Sequence, residues 1–185
     1  MEPPGITRRR RPFLLPVWLI ISTAALVLAV LLVAYLSATT TVVILTRHAE
    51  RDTAVIQDPP LSPEGEQRAQ RLAQMFGSGQ GVGRIDAIYV SDTRRTQQTA
   101  EPLAERLGKK PIVLSAADIK GTVARVMREH GGGVSLIIGH SNTVPQLIEA
   151  LADIRIAPIA DDEYDTLYVV AIPTFGKPSV LRLEY

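Results

Sequence analysis

Apolar residues follow two patterns along this chain. Residues 13–38 contain no charged side chain. The apolar run 17–36 is long enough, at about 1.5 Å per helical residue, to cross a hydrocarbon core of about 30 Å. Beyond residue 38, short Val/Ile/Leu runs alternate with segments whose apolar positions recur at helical spacing. Thr41-Val42-Val43-Ile44-Leu45 predicts a strand buried on both faces. Ser62-Pro63-Glu64 then carries the signals of a helix start, with serine at the N-cap, proline at N1 and an acid in the first turn. That helix is expected to run to about Phe76.

The alternation continues. Residues 77–83 are glycine-rich and predict a loop; 85–90 predict a second buried strand; 93–107 predict an amphipathic helix closed by Gly108. A short strand at 112–114, a helix over 117–130 and a third buried strand over 134–138 follow. After a helix over 143–151, strands at 167–172 and 179–183 form an antiparallel hairpin at one sheet edge. This order predicts an α/β fold, a three-layer α/β/α sandwich with a mainly parallel sheet, preceded by one N-terminal transmembrane helix.

Three parts follow from this pattern: a disordered basic tail over 1–12, a transmembrane signal-anchor helix over 13–38, and a catalytic domain over 39–185. The alternative for the second part is a cleaved signal peptide. Its apolar region normally spans only about 7–15 residues and ends in a small-residue cleavage site, so the run here is too long. Arg8 to Arg11 precede the span and no basic residue follows it before Arg47. The expected topology is therefore single-pass in the cell membrane, with the N-terminus cytoplasmic and the domain on the exported, periplasmic or extracellular side. Trp18 and Tyr35 lie near its two ends, as interfacial aromatics do.

Composition narrows the chemistry. The net charge is +1 and the chain has no cysteine, so nothing calls for a nucleic-acid partner, and thiolate catalysis, disulfides and cysteine-ligated zinc are excluded. The three histidines, His48, His130 and His140, are too few for a histidine-rich metal site, and no metal or cofactor is expected.

Candidate chemistry falls where the buried strands end. Arg47-His48 follows the first, Ser91 to Arg95 the second, and Gly139-His140-Ser141-Asn142 the third. Parallel strands would gather all three segments at one end of the sheet, where α/β folds bind ligands. Two arginines and two histidines around one crevice suit a phosphoryl group, because guanidinium forks bind its oxygens bidentately and stay charged. One imidazole nitrogen can then attack phosphorus in line while cationic donors stabilise the equatorial oxygens. His130, at a helix end beside glycines, is assigned no such role.

Thr46-Arg47-His48-Ala49-Glu50, the stretch from Val90-Ser91-Asp92 to Thr99-Ala100, and Ile138-Gly139-His140-Ser141-Asn142-Thr143 resemble the successive signatures of the histidine phosphatase (phosphoglycerate mutase-like) superfamily. Leu61-Ser62-Pro63-Glu64-Gly65 resembles the opening of that family's first helix. The chain looks like a small, membrane-anchored, bacterial-type member. The resemblance implies that His48 becomes phosphohistidine, that Arg47 and Arg95 hold the phosphate, and that His140 is the second pocket histidine; Asn142 joins the substrate-binding set. The implied activity is a metal-independent phosphatase acting on a small phosphorylated substrate, a phosphoester or a phosphoramidate such as phosphohistidine. The alternative is a catalytically idle module of the same fold that binds a phosphorylated ligand or partner.

A leaving alkoxide needs a general acid. His140 is followed by Ser141 rather than the aspartate of one family branch, and little chain separates Arg95 from His140 for the lid insertion of another. Glu50, Asp118, Asp162 and Glu163 are the candidates.

Overall fold

The computed structural model describes residues 14–77 and 84–185, and the expected tail over 1–12 lies outside them. The chain divides into two compact units, residues 1–37 and 38–185. The described part of the first is one helix, α1 (Leu14–Ala38). Its 19 residues Val17–Tyr35 have a mean hydropathy of 2.8, and none is buried. The helix is long and apolar enough to cross a membrane.

The second unit is built on a six-stranded sheet. In chain order its elements are β1 (Thr40–Arg47), α2 (Pro63–Phe76), β2 (Ala87–Ser91), α3 (Arg94–Leu107), β3 (Ile112–Leu114), α4 (Ile119–His130), β4 (Val134–Gly139), α5 (Thr143–Ala152), β5 (Thr166–Pro173) and β6 (Ser179–Glu184). The strand order is β3-β2-β4-β1-β5-β6. Strands β3, β2, β4 and β1 are parallel to one another, whereas β5 runs antiparallel to β1 and β6 antiparallel to β5. The mainly parallel sheet and the terminal hairpin match the sequence expectation.

Helices cover both faces. Ile44, Ile88, Leu136 and Ile138 pack with Leu72 and Phe76 of α2 and Leu103 of α3. Val43, Leu45, Tyr89 and Ile137 pack on the opposite side with Val126 of α4 and Leu147 and Ile148 of α5. Successive strand residues point to opposite faces, so β1 contributes Val43, Ile44 and Leu45 to both layers, all with no exposed surface. This two-sided burial is why the strand is continuously apolar.

Local signals set most boundaries. Ser62 caps α2 by accepting the Gly65 N–H at 3.2 Å, with Pro63 in the first helical turn. Gly108, at φ 63°, closes α3 in the left-handed conformation that glycine adopts without strain. Two element starts differ from the periodicity by two residues. Strand β2 begins at Ala87 rather than residue 85, because the Asp86 carboxylate takes the Val134 N–H at 2.9 Å and so ends the ladder. Ile85 remains fully buried. Helix α4 begins at Ile119 rather than residue 117, because Asp118 is its N-cap and accepts the Gly121 N–H at 2.8 Å.

Candidate active site

The carboxyl ends of β1, β2 and β4 adjoin one another. Arg47 pairs in register with Gly139, and the ladder extends one step further through the His48 N–H donated to the Gly139 carbonyl at 2.9 Å. His48 and His140 therefore leave neighbouring strands side by side, with ring centroids 5.3 Å apart in an edge-on arrangement. Both are buried, 4% and 8% exposed, deep enough for solvation to govern their charge.

His48 has a defined tautomer. Its Nδ1 lies 2.8 Å from the Ala49 carbonyl oxygen, which can only accept, so Nδ1 carries the hydrogen and Nε2 keeps its lone pair. Burial lowers the imidazole to about 3, and the charges of Arg95, His140 and Arg47 add to this against the opposing Ala49 hydrogen bond. The ring is neutral at physiological pH. His140 is lowered to about 4, again by burial first and then by Arg95 and Arg47, with Asp92 opposing.

Hydroxyl side chains fix the frame around these rings. Arg95 Nη2 approaches His140 Nδ1 at 3.4 Å, so Nδ1 is the acceptor and the Nε2–H donates to Ser91 Oγ at 3.0 Å. Ser91 Oγ lies 2.9 Å from Thr96 Oγ1, which in turn donates to the Thr93 carbonyl at 2.9 Å. Thr99 Oγ1 accepts the Ala49 N–H at 3.0 Å and donates to the Arg95 carbonyl at 2.7 Å. That hydroxyl ties the turn after β1 to the helix bearing Arg95. Gly139 is required by close approach, because a Cβ there would lie 2.9 Å from Thr143 Oγ1, the group that receives the His140 N–H.

The arginines differ in their partners. Arg47 Nη1 donates to the carbonyls of Ala160, Asp161 and Glu163 at 2.8, 3.0 and 3.1 Å. The Arg47 guanidinium also lies against the Tyr164 ring, 4.1 Å from its centroid. The Nε atoms of both Arg47 and Arg95 are buried with no hydrogen-bond partner. Among the described residues neither guanidinium forms an ion pair. Burial lowers the Arg95 guanidinium from its ordinary value, with Asp58 opposing and Arg51 and Arg47 reinforcing the shift. The site thus concentrates positive charge and buried N–H donors beside two neutral imidazoles, a set that fits an anionic oxygen cluster.

The structure therefore brings Arg47, His48, Arg95 and His140 together. It does not bring Asn142 into this network: Asn142 sits at the N-terminus of α5, exposed and without a side-chain capping bond.

Three of the four acid candidates, Glu50, Glu163 and Asp118, are engaged elsewhere. Glu50 receives Arg68 Nε at 2.9 Å on each carboxylate oxygen and Nη2 at 2.6 Å. Burial would raise its carboxyl, but the Arg68 hydrogen bonds and charge prevail and hold it below the ordinary range. Glu163 accepts Thr166 Oγ1 at 2.5 Å and Arg182 Nη2 at 3.1 Å; the hydrogen bonds from Thr166, Ala160 and Arg182 hold it low as well. Asp118 caps α4, and Asp162 is exposed, without a hydrogen bond among the described residues.

Sequence reasoning gave no role to Tyr164, Thr96 or Thr99. The threonines carried a usable signal: two polar residues three apart on the apolar side of α3 and fully buried must serve a hydrogen-bond network. Tyr164 carried none, because more than a hundred residues separate it from Arg47.

This combination defines an α/β protein with a cationic, two-histidine pocket at the carboxyl ends of its parallel strands. Residues 43–118 match the model of the histidine phosphatase superfamily, branch 1. No curated protein sequence matches it. Among solved structures, it is similar to the protein histidine phosphatase SixA complexed with tungstate (19% identity, TM-score 0.63, covering 77% of this chain and 96% of that one). It is also similar to a mycobacterial glucosyl-3-phosphoglycerate phosphatase (16% identity, TM-score 0.62, 76% and 97% covered). A third, described as mycobacterial hydrolase 1, has 17% identity and a TM-score of 0.61, with 79% and 99% covered. At these identities the likeness speaks for the fold.

Proposed function

We propose that this chain is a membrane-anchored, metal-independent phosphatase that hydrolyses a small phosphoester or phosphoramidate through a phosphohistidine on His48. The observation that carries this reading is the state of His48: neutral, with Nδ1–H held by the Ala49 carbonyl and the Nε2 lone pair unprotonated. It stands beside two arginines that form no ion pair among the described residues. A buried cationic pocket built only to hold phosphate would have no need of an in-line nucleophile.

In the reaction, Arg47 and Arg95 grip the phosphoryl oxygens and His140 stands beside Arg95, its Nδ1 3.4 Å from Arg95 Nη2. His48 Nε2 attacks phosphorus in line as the bond to the leaving group breaks. The Ala49 carbonyl stabilises the imidazolium character that develops on Nδ1–H, and the guanidinium charges offset that on the equatorial oxygens. Water then cleaves the phosphorus–nitrogen bond and returns His48 to its starting tautomer. By this reading α1 anchors the protein in the cell membrane with the N-terminus cytoplasmic and the second unit on the exported side. The retained residues support catalysis over a purely binding module.

The test uses the full-length chain in detergent with p-nitrophenyl phosphate, an activated substrate. Turnover and an acid-labile phosphoprotein are expected for the wild type. His48→Ala should lower turnover by about 10³-fold or more and abolish the phosphoprotein. A wild type with neither property would overturn the proposal.

A further inference from the structure

A phosphatase of this kind must protonate its leaving group, and the carboxyl groups near the pocket are ill placed to do so. Glu50 is held by Arg68, Glu163 by Thr166 and Arg182, and Asp58 accepts the Arg94 N–H. Asp92 and Asp162 are exposed and, among the described residues, make no hydrogen bond to a pocket residue.

Tyr164 is placed differently. It lies on the segment between α5 and β5, which folds over the ends of the parallel strands so that its carbonyls meet Arg47. The Tyr164 ring stacks on the Arg47 guanidinium and its centroid is 6.1 Å from that of His48. Its hydroxyl is 3.4 Å from Arg47 Nη2 and close enough to Arg95 to act on that charge. The three carbonyls occupy Arg47 Nη1, which leaves the edge formed by Nε and Nη2 for an anion. The Tyr164 hydroxyl borders that same edge.

We propose that the Tyr164 hydroxyl is the general acid that protonates the leaving oxygen. This rests on the phosphohistidine reading above. In-line attack brings His48 Nε2 within about 3–3.5 Å of phosphorus, and the leaving oxygen then lies one bond further out; the Tyr164 ring, 6.1 Å from that of His48, borders the Arg47 edge that faces the phosphoryl group. As the Nε2–P bond forms, the P–O bond breaks and its electron pair takes the phenolic proton, releasing the alcohol and leaving a tyrosinate beside Arg47 and Arg95. In the second step a water oxygen attacks phosphorus and gives one proton to the tyrosinate. The P–N electron pair returns to Nε2, and hydrogen phosphate leaves. Both groups are restored.

Tyr164→Phe separates proton donation from positioning, because phenylalanine keeps the ring against Arg47 and loses only the hydroxyl. The full-length protein in detergent is compared on an alkyl phosphate, whose leaving group needs a proton, and on p-nitrophenyl phosphate, whose leaving group does not. Tyr164→Phe should slow single-turnover formation of the phosphoprotein from the alkyl phosphate by about 10²-fold or more, within the usual range for a general acid, and change that same step on the aryl phosphate by no more than about 3-fold. It should still form the acid-labile phosphoprotein from the aryl substrate. An equal loss on both substrates would assign Tyr164 to positioning Arg47 and overturn the proposal, as would no loss on either. A loss selective for the alkyl phosphate in Asp92→Asn instead of Tyr164→Phe would also overturn it, as would a wild type active only on the aryl phosphate. A wild type inactive on both would sink the underlying phosphatase reading itself.

Discussion

Arg47 and Arg68 flank the same turn after β1, and their surroundings make them opposites. Arg68 meets the Glu50 carboxylate through both Nε and Nη2, at distances down to 2.6 Å, with side-chain exposures of only 15% and 22%. Its charge is spent inside the protein. Arg47 meets carbonyl oxygens and an aromatic face, neither of which cancels a full charge, and its Nε has no partner. Arg95 is likewise without a carboxylate partner. One cluster is closed and holds structure together; the other is left electrostatically open, at a cost in burial that structure alone does not repay. Uncompensated positive charge next to a neutral imidazole marks a site kept for a ligand.

The widest gap between the two clusters should appear on removing Arg95. Arg95→Ala is expected to cost about 10²–10³-fold in kcat/KM toward p-nitrophenyl phosphate, the usual scale for one transition-state donor, with little loss of stability in a denaturant titration. A fall in stability with activity intact would place Arg95 in the closed class. Glu50→Gln should do the reverse. Loss of a charge-assisted bidentate contact is expected to lower stability by about 1–3 kcal/mol, while kcat on an alkyl phosphate stays within about 3-fold. A loss of 10²-fold there would make Glu50 the general acid after all.

The smallest effect is in the protonation of the histidines. The folded values of His48 and His140, about 3 and about 4, lie below the unfolded value of 6.5. The unfolded chain therefore binds more protons between those limits, and stability falls as pH drops below about 6.5 toward 4. Imidazole NMR signals should show both rings neutral at pH 5. Arg95→Ala should raise both values only in part, because burial is the larger cause, and Arg68→Ala should leave them unchanged. Rings that charge near pH 6.5 in the wild type would contradict the closed, desolvated pocket.

Much of this arrangement was legible in the sequence. The β1 run Val43-Ile44-Leu45 declares burial on both faces, and an Arg-His pair at its end lies where parallel strands deliver their side chains. Ser62-Pro63 fixes the start of α2 through local hydrogen bonding, which periodicity and capping chemistry can reveal. The strand boundary at Ala87 was not legible, since it depends on Asp86 reaching Val134, a distant residue. Tyr164 and the carbonyls of Ala160, Asp161 and Glu163 were hidden for the same reason. They lie in an irregular loop whose position is set by the antiparallel return of β5 along β1. The Glu50–Arg68 pair was also out of view: Glu50 read as a free acid until its partner's helix was placed against it.

The ladder step from the His48 N–H to the Gly139 carbonyl gives the pocket a built-in ruler. Adjacent strands stand about 4.7–4.9 Å apart in any sheet, so the distance between the two histidine backbones is set by the hydrogen bonds of the sheet itself rather than by the loops. Sequence change in the surrounding segments can then alter what the pocket accepts at its mouth while the spacing at its floor stays constant. On the proposed phosphatase reading, recognition of the leaving group and capture of the phosphoryl group are mechanically separate, and the first can evolve without disturbing the second.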